Sequence, residues 1–179
     1  MTQVAVHYAR ALYDLAVEEE LSVQILHQLQ MLRESFSEEP GFVRLLNAPN
    51  ISKQERCAVV DECFGGKVHP YVLNFLKILT QKGYACHFTD CCKIFEDRYN
   101  ADNGILPVWV VTAVALTQTQ TQQLTQKLQT ITGKTVTLHQ IVEPACLGGV
   151  RLRYDGKQLD GTVKSRMNAI GDMLKSTVH

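Results

Sequence analysis

The apolar residues of this chain keep one spacing up to Asn103-Gly104 and another beyond it. Before that point they recur every three or four residues, as in a helix with one buried face. After it, Ile105-Leu106-Pro107-Val108-Trp109-Val110-Val111-Thr112-Ala113-Val114 is a dense β-branched run that suits a strand, with Pro107 predicting that its start lies at a sheet edge. The charges divide at the same place. Ten basic and fourteen acidic residues precede Ile105, whereas eight basic and four acidic residues follow from there, giving about −4 and about +4 in a chain of zero net charge. All six phenylalanines fall in the first part, and the second has only Trp109 and Tyr154 as aromatics. The reading is two units, 1–104 and 105–179, of α+β class.

The first unit reads as a six-helix bundle. Val4, Tyr8, Ala11, Leu12 and Leu15 mark one helix, and Leu21, Ile25, Leu29, Leu32 and Phe36 mark a second after the acidic run Glu18-Glu19-Glu20. Pro40 opens a short third helix with Phe42, Leu45 and Leu46, which Asn47 and Pro49 end. Ser52-Lys53-Gln54-Glu55 has the form of a capping box, and Val59, Val60, Cys63 and Phe64 continue that helix to Gly65-Gly66. Pro70 starts a fifth helix with Val72, Phe75, Leu76, Ile78 and Leu79, stopped by Lys82-Gly83. Thr89 or Asp90 is expected to cap a sixth, carrying Ile94, Phe95, Tyr99 and Ala101.

The second unit reads as strand, helix, strand, strand, helix. A helix over Thr117 to Thr132 presents Leu124, Leu128 and Ile131 and closes at Gly133. Val136, Leu138 and Ile141-Val142 form the second strand. Val150, Leu152 and Tyr154 alternate as the third before a turn at Asp155-Gly156, and Val163, Met167, Ile170 and Leu174 mark a final helix from Thr162.

With 45% hydrophobic and 20% charged residues, the composition is that of a globular protein and excludes disorder, collagen and coiled-coil rods. The longest apolar stretch, Ile105 to Leu116, is too short to span a bilayer, which takes about 18 residues or more. The opening MTQVAVHYAR shows no basic leader followed by an apolar block, so a cytoplasmic setting is expected, with Cys57, Cys63, Cys86, Cys91, Cys92 and Cys146 as free thiols.

Motifs of chemistry are sparse. Gly133-Lys134-Thr135 lacks the glycine of a phosphate loop, because Leu128 stands five residues before Gly133, and it leaves a helix for a strand where such a loop does the reverse. No paired-carboxylate motif, nucleophile elbow or His-Glu-x-x-His occurs, so no catalytic residue and no cofactor is expected. Cys86-His87, Cys91 and Cys92, with Cys57, Cys63 and His69 upstream, allow a metal-binding reading, but no Cys-x-x-Cys pair supplies a zinc knuckle. Cys57 and Cys63 also suit positions where a helix needs small apolar residues. The basic second unit allows a nucleic-acid reading, yet two aromatics are few for base stacking, and Arg151, Arg153, Lys157, Lys164 and Arg166 alternate with apolar residues.

Tyr8-Ala9-Arg10-Ala11-Leu12, Leu76 to Gly83, Glu143-Pro144-Ala145-Cys146-Leu147-Gly148-Gly149-Val150 and Asp160-Gly161-Thr162-Val163 occur in the order and at the separations of one family. Through them the whole chain resembles the delta subunit of bacterial F-type ATP synthases, a family related to the mitochondrial oligomycin-sensitivity-conferring subunit. The family usually carries Asp, Arg and Ser where Glu143, Tyr84 and Thr162 stand here. The resemblance implies a non-catalytic stator, monomeric in its complex and peripheral to the cytoplasmic face of the inner membrane. It implies a helical unit that binds the N-terminal helix of an alpha subunit, a C-terminal unit that grips the b-subunit stalk, and no nucleic acid. The protein-binding residues it implies are Tyr8, Ala11, Leu12 and Leu15 on the first helix, Phe75, Ile78, Leu79 and Lys82 on the fifth, and Gly148 and Gly149. A groove between those helices is compatible with their small and apolar residues; the alternative is that Tyr8, Leu12, Phe75 and Leu79 fill the core.

Overall fold

A computed structural model describes residues 2–146, 148–154 and 156–161. Two compact units divide at Tyr99 and Asn100, a few residues before the change in composition. The final helix expected from Thr162 lies outside the described residues.

The first unit holds six α-helices: α1 (Gln3–Glu18), α2 (Ser22–Glu38), α3 (Pro40–Leu46), α4 (Lys53–Phe64), α5 (Pro70–Lys82) and α6 (Phe88–Asp102). Local chemistry sets most of their ends. The Thr2 side chain caps α1, and Ser52 with Glu55 forms the expected reciprocal capping box on α4. Gly83 ends α5 at φ 74°, a left-handed conformation that a Cβ would oppose. Arg56 on α4 is buried and donates from Nη1 to the Leu46 carbonyl at 2.8 Å, placing a cation at the C-terminus of α3. The sixth helix starts earlier than its capping residues suggested. A single 3-10 turn over Ala85–His87 leads straight into Phe88, so Thr89 and Asp90 lie inside α6.

Five phenylalanines from five consecutive helices meet in the core. Phe36 of α2 lies 4.9 Å from Phe88 of α6, 5.5 Å from Phe42 of α3 and 5.9 Å from Phe64 of α4, measured between ring centroids. Phe75 of α5 completes the group 6.4 Å from Phe88. The sixth, Phe95, packs edge-on to Tyr13 of α1 at 5.1 Å, with the Arg98 guanidinium over the other ring at 5.4 Å. Burial of α1 therefore turns on Tyr13. Its core residues are Ala5, Ala9, Leu12, Tyr13 and Ala16, a face rotated from the expected set of Val4, Tyr8, Ala11, Leu12 and Leu15. The alanines let neighbouring helices approach, which larger residues on that face would prevent.

The second unit is a four-stranded sheet of order β2-β1-β3-β4, with β1 (Ile105–Thr112), β2 (Thr135–Val142), β3 (Val150–Tyr154) and β4 (Lys157–Asp160). α7 (Gln118–Thr132) connects β1 to its parallel partner β2, and β3 and β4 follow antiparallel. β1 is an inner strand, but β3 pairs with it only from Trp109 onward. The Thr135 amide bonds to the Gly104 carbonyl, which sets even-numbered residues of β1 toward β2. Pro107, which has no N–H to donate, precedes the stretch over which β1 pairs with β3 among the described residues. β4 was not foreseen: Lys-Gln-Leu-Asp has no apolar alternation, and the strand is held by pairing to β3 and by Arg151 Nε donating to Asp160 at 3.1 Å. Leu106, Val108, Val110, Val136 and Leu128 form the core of this unit, with Leu124 packed against it. Ile131 is 79% exposed, so the expected α7 face stops at Leu128.

Phe88→Ala is expected to lower unfolding free energy by about 3–5 kcal/mol, because the ring's loss leaves a cavity beside Phe36 and Phe75. Urea denaturation of the full chain, followed by circular dichroism, measures it.

Candidate protein-docking furrow

On α1, residues next to the buried face form a second stripe. Val4, Tyr8, Ala11, Leu15 and Glu18 alternate steps of four and three, so they line one edge of the helix. Val4, Tyr8 and Leu15 are half-buried, while Ala11 is exposed. On α5 the same spacing joins Tyr71, Phe75, Ile78 and Lys82. The two helices run in opposite directions side by side: Tyr8 meets Tyr84, just past the end of α5, at a centroid distance of 6.1 Å, and Glu19 meets Tyr71 at its start. Negative charge from Glu19, partial burial, and a hydrogen bond from the phenol to that carboxylate hold the Tyr71 pKa above its ordinary value, with Glu18 adding to the effect. Between these end contacts α1 carries the half-buried Val4, Tyr8 and Leu15, and α5 carries the exposed Ile78.

The expected docking residues divide by burial. Tyr8 and Leu15 are half-buried, Ala11 is exposed, and Ile78 is 43% exposed. Leu12, Phe75 and Leu79 are at most 5% exposed, so they belong to the core and offer no surface of their own. Lys82 borders a different recess, an open cavity of about 510 Å³ between α4 and α5 that also involves Lys53, Cys57 and Lys77. There Lys77 pairs with Asp61 at 2.7 Å. Gly148 and Gly149 have φ of 133° and 84° in the turn before β3, conformations that favour glycine. Gly148 is half-buried and Gly149 exposed. Tyr71 and Glu18 were not singled out from sequence, although the spacing of each from Ile78 and Leu15 carried the signal.

In the second unit, the sheet face away from α7 exposes Trp109 (40%) and Ile141 (45%). Trp109 stacks on His139 at 5.4 Å and 22°. A recess of about 220 Å³ beside it is bordered by Arg153, Tyr154 and Lys157.

The thiols sit mainly in the packing. Cys91 donates weakly to the Ala5 carbonyl and Cys92 to the Leu29 carbonyl, each at 3.7 Å, joining α6 to α1 and α2. Burial pushes Cys91 up to about 12 and Cys92 in the same direction. Cys57 is buried, but Cys63, expected on an apolar face, is exposed, as is Cys86. Among the described residues no three His, Cys, Asp or Glu side chains are grouped to hold a metal ion, and no helix is long and apolar enough to cross a membrane.

A helical unit followed by a small sheet-and-helix unit defines a two-part α+β chain. Residues 4–174 match the family described as ATP synthase delta (OSCP) subunit, and the chain belongs to that family. It is 28% identical over 176 residues to ATP synthase subunit delta of Clostridioides difficile, covering 98% of this chain and 97% of that one. With the subunit delta of Symbiobacterium thermophilum it shares 32% identity over 173 residues, 97% of this chain and 93% of the relative. A chain in the cryo-EM structure of the Toxoplasma gondii mitochondrial ATP synthase hexamer has the same fold, with a TM-score of 0.77, 18% identity and coverage of 97% and 98%. Membership makes the chain a non-catalytic subunit of ATP synthase, part of its peripheral stalk, and leaves the nucleic-acid and metal-binding readings without support.

A thiol reagent at pH 8 is expected to label Cys63 and Cys86 rapidly and Cys91 and Cys92 only after denaturation, because the thiolate is the reactive form and burial suppresses it. Mass mapping of the labelled peptides checks this.

Proposed function

We propose that the α1–α5 furrow seats the amphipathic N-terminal helix of an ATP synthase alpha subunit, and that the second unit holds the C-terminal end of the b-subunit stalk. The observation that carries the first part is the stripe Val4, Tyr8, Ala11 and Leu15, left partly open on α1, together with an exposed Ile78 on α5, whose ends meet those of α1 at Tyr8–Tyr84 and Glu19–Tyr71. Apolar residues spaced along two antiparallel helices match a third helix with anchors every three or four residues. Ala11 lets its backbone approach, and the buried Leu12, Phe75 and Leu79 root each helix in the core. For the stalk, Trp109 and Ile141 offer apolar anchors beside the basic Arg153 and Lys157, and the Gly148-Gly149 turn is a further candidate contact.

So placed, a single copy of the chain works from the cytoplasmic side, bound to the membrane only through its complex. Its work is mechanical. The alpha/beta hexamer must not turn with the rotor if proton flow is to drive ATP synthesis, and a stator resists that torque through buried apolar contact without making or breaking a bond. Charge helps partners meet, but exposed pairs contribute only about 0–1 kcal/mol each.

Tyr8→Ala and Ile78→Asp are each expected to weaken the alpha-subunit helix by about 2 kcal/mol, roughly 30-fold in Kd, while the circular dichroism spectrum and unfolding midpoint stay near those of the parent. Calorimetric titration with a synthetic peptide of that segment decides; unchanged affinity in both variants rejects the furrow as its seat.

A further inference from the structure

Cations gather around the recess between α4 and α5 and meet little opposing charge there. Lys53, Lys77 and Lys82 all border this open cavity of about 510 Å³, against one acidic neighbour, Asp61. Lys77 Nζ donates to that carboxylate, 2.8 Å from Oδ1 and 2.7 Å from Oδ2, so the two charges cancel as a pair. Lys53 on α4 and Lys82 on α5 are exposed, and neither belongs to an ion pair among the described residues. Gln54 and Gln81 add amide groups, one from each helix. The depth comes from small side chains. Between Lys53 and Asp61, α4 presents Cys57 and Ala58 to the cavity, and Cys57 is buried with its Sγ 3.9 Å from the Lys77 carbonyl oxygen.

We propose that this recess binds a small anion carrying two or more linked phosphates, held by the ammonium groups of Lys53 and Lys82 and by the amides of Gln54 and Gln81. Three lysines against one aspartate leave two positive charges in excess, which suits a diphosphate better than a monoanion. Lysine meets phosphate as a point charge on a flexible stem, so groups from two helices can converge on one anion without the fixed geometry that an arginine fork demands. The cavity lies within the range of about 300–1,000 Å³ that small-molecule clefts occupy. No aromatic ring borders it among the described residues, so the grip falls on phosphate oxygens and not on a nucleobase. Inorganic pyrophosphate and a nucleoside diphosphate share the chemistry it selects. Lys82 thereby serves a small ligand, whether or not a helix occupies the neighbouring face of α5.

Pyrophosphate, orthophosphate and ADP, each titrated into the full chain at low salt without divalent metal and followed by amide NMR, test the assignment. Pyrophosphate is expected to shift the signals of residues 53–58 and 77–82, to bind about tenfold more tightly than orthophosphate, and to weaken as salt is added. ADP is expected to match pyrophosphate within about threefold, because only its phosphates are held. The double variant Lys53→Gln with Lys82→Gln is expected to bind pyrophosphate about tenfold more weakly. Asp61→Asn removes the opposing carboxylate and frees Lys77, so it is expected to bind about threefold more tightly. Both variants change exposed side chains, and their unfolding midpoints should stay near that of the parent. Shifts scattered over lysines elsewhere in the chain overturn the site. Equal affinity in parent and double variant, or weaker binding by Asp61→Asn, does the same. ADP binding far tighter than pyrophosphate overturns the ligand class, since the base would then supply the grip.

Discussion

Contact among Phe36, Phe42, Phe64, Phe75 and Phe88 is the interaction on which the helical unit depends. Each ring comes from a different helix, so a single apolar cluster fixes five helices that short connections alone would leave free to splay. Aromatic side chains suit this role because each buries a large area with few rotatable bonds, and tilted or edge-on pairs add to that burial. Phe95 extends the same device to α1 through Tyr13. Every phenylalanine of the chain is thereby committed to this unit.

That commitment leaves other apolar side chains of α1 and α5 outside the core. α1 is drawn in by Tyr13 and by small residues at Ala5, Ala9 and Ala16, which turns its larger side chains Tyr8 and Leu15 onto an open edge. α5 is anchored by Phe75, Leu76 and Leu79, which leaves Ile78 standing out. The second unit uses another principle. Its sheet is covered on one face by α7 and keeps Trp109 accessible on the other, and β4 holds on by backbone pairing and Arg151 more than by side-chain burial.

The candidate residues were legible in the sequence as periodic stripes but not as a surface. Tyr8, Leu12, Phe75, Ile78 and Leu79 all belong to periodic stripes, and periodicity identifies a helix face without saying which of two adjacent faces goes inside. On α1 the apolar residues cover a wide arc, and the choice fell to alanines that score weakly as hydrophobic but pack closely. Lys82 shows the same limit at the end of α5, where the side chain borders the α4 recess. Phe88 was read as lying before its helix because Thr89 and Asp90 look like caps; the pull of the aromatic cluster outweighed that local preference. β4 lacks any pattern, since an edge strand with both faces exposed has no alternation to display.

By itself the sequence determined the two-part division, the helix ends marked by Ser52-Glu55, Pro70 and Gly83, and the pairing of period with architecture, because these follow from backbone chemistry and spacing within a few residues. Only the tertiary structure decided which side of α1 and α5 stays open and which aromatic rings meet across distant helices. Those outcomes depend on which elements lie beside one another, and that is settled by how whole surfaces fill space.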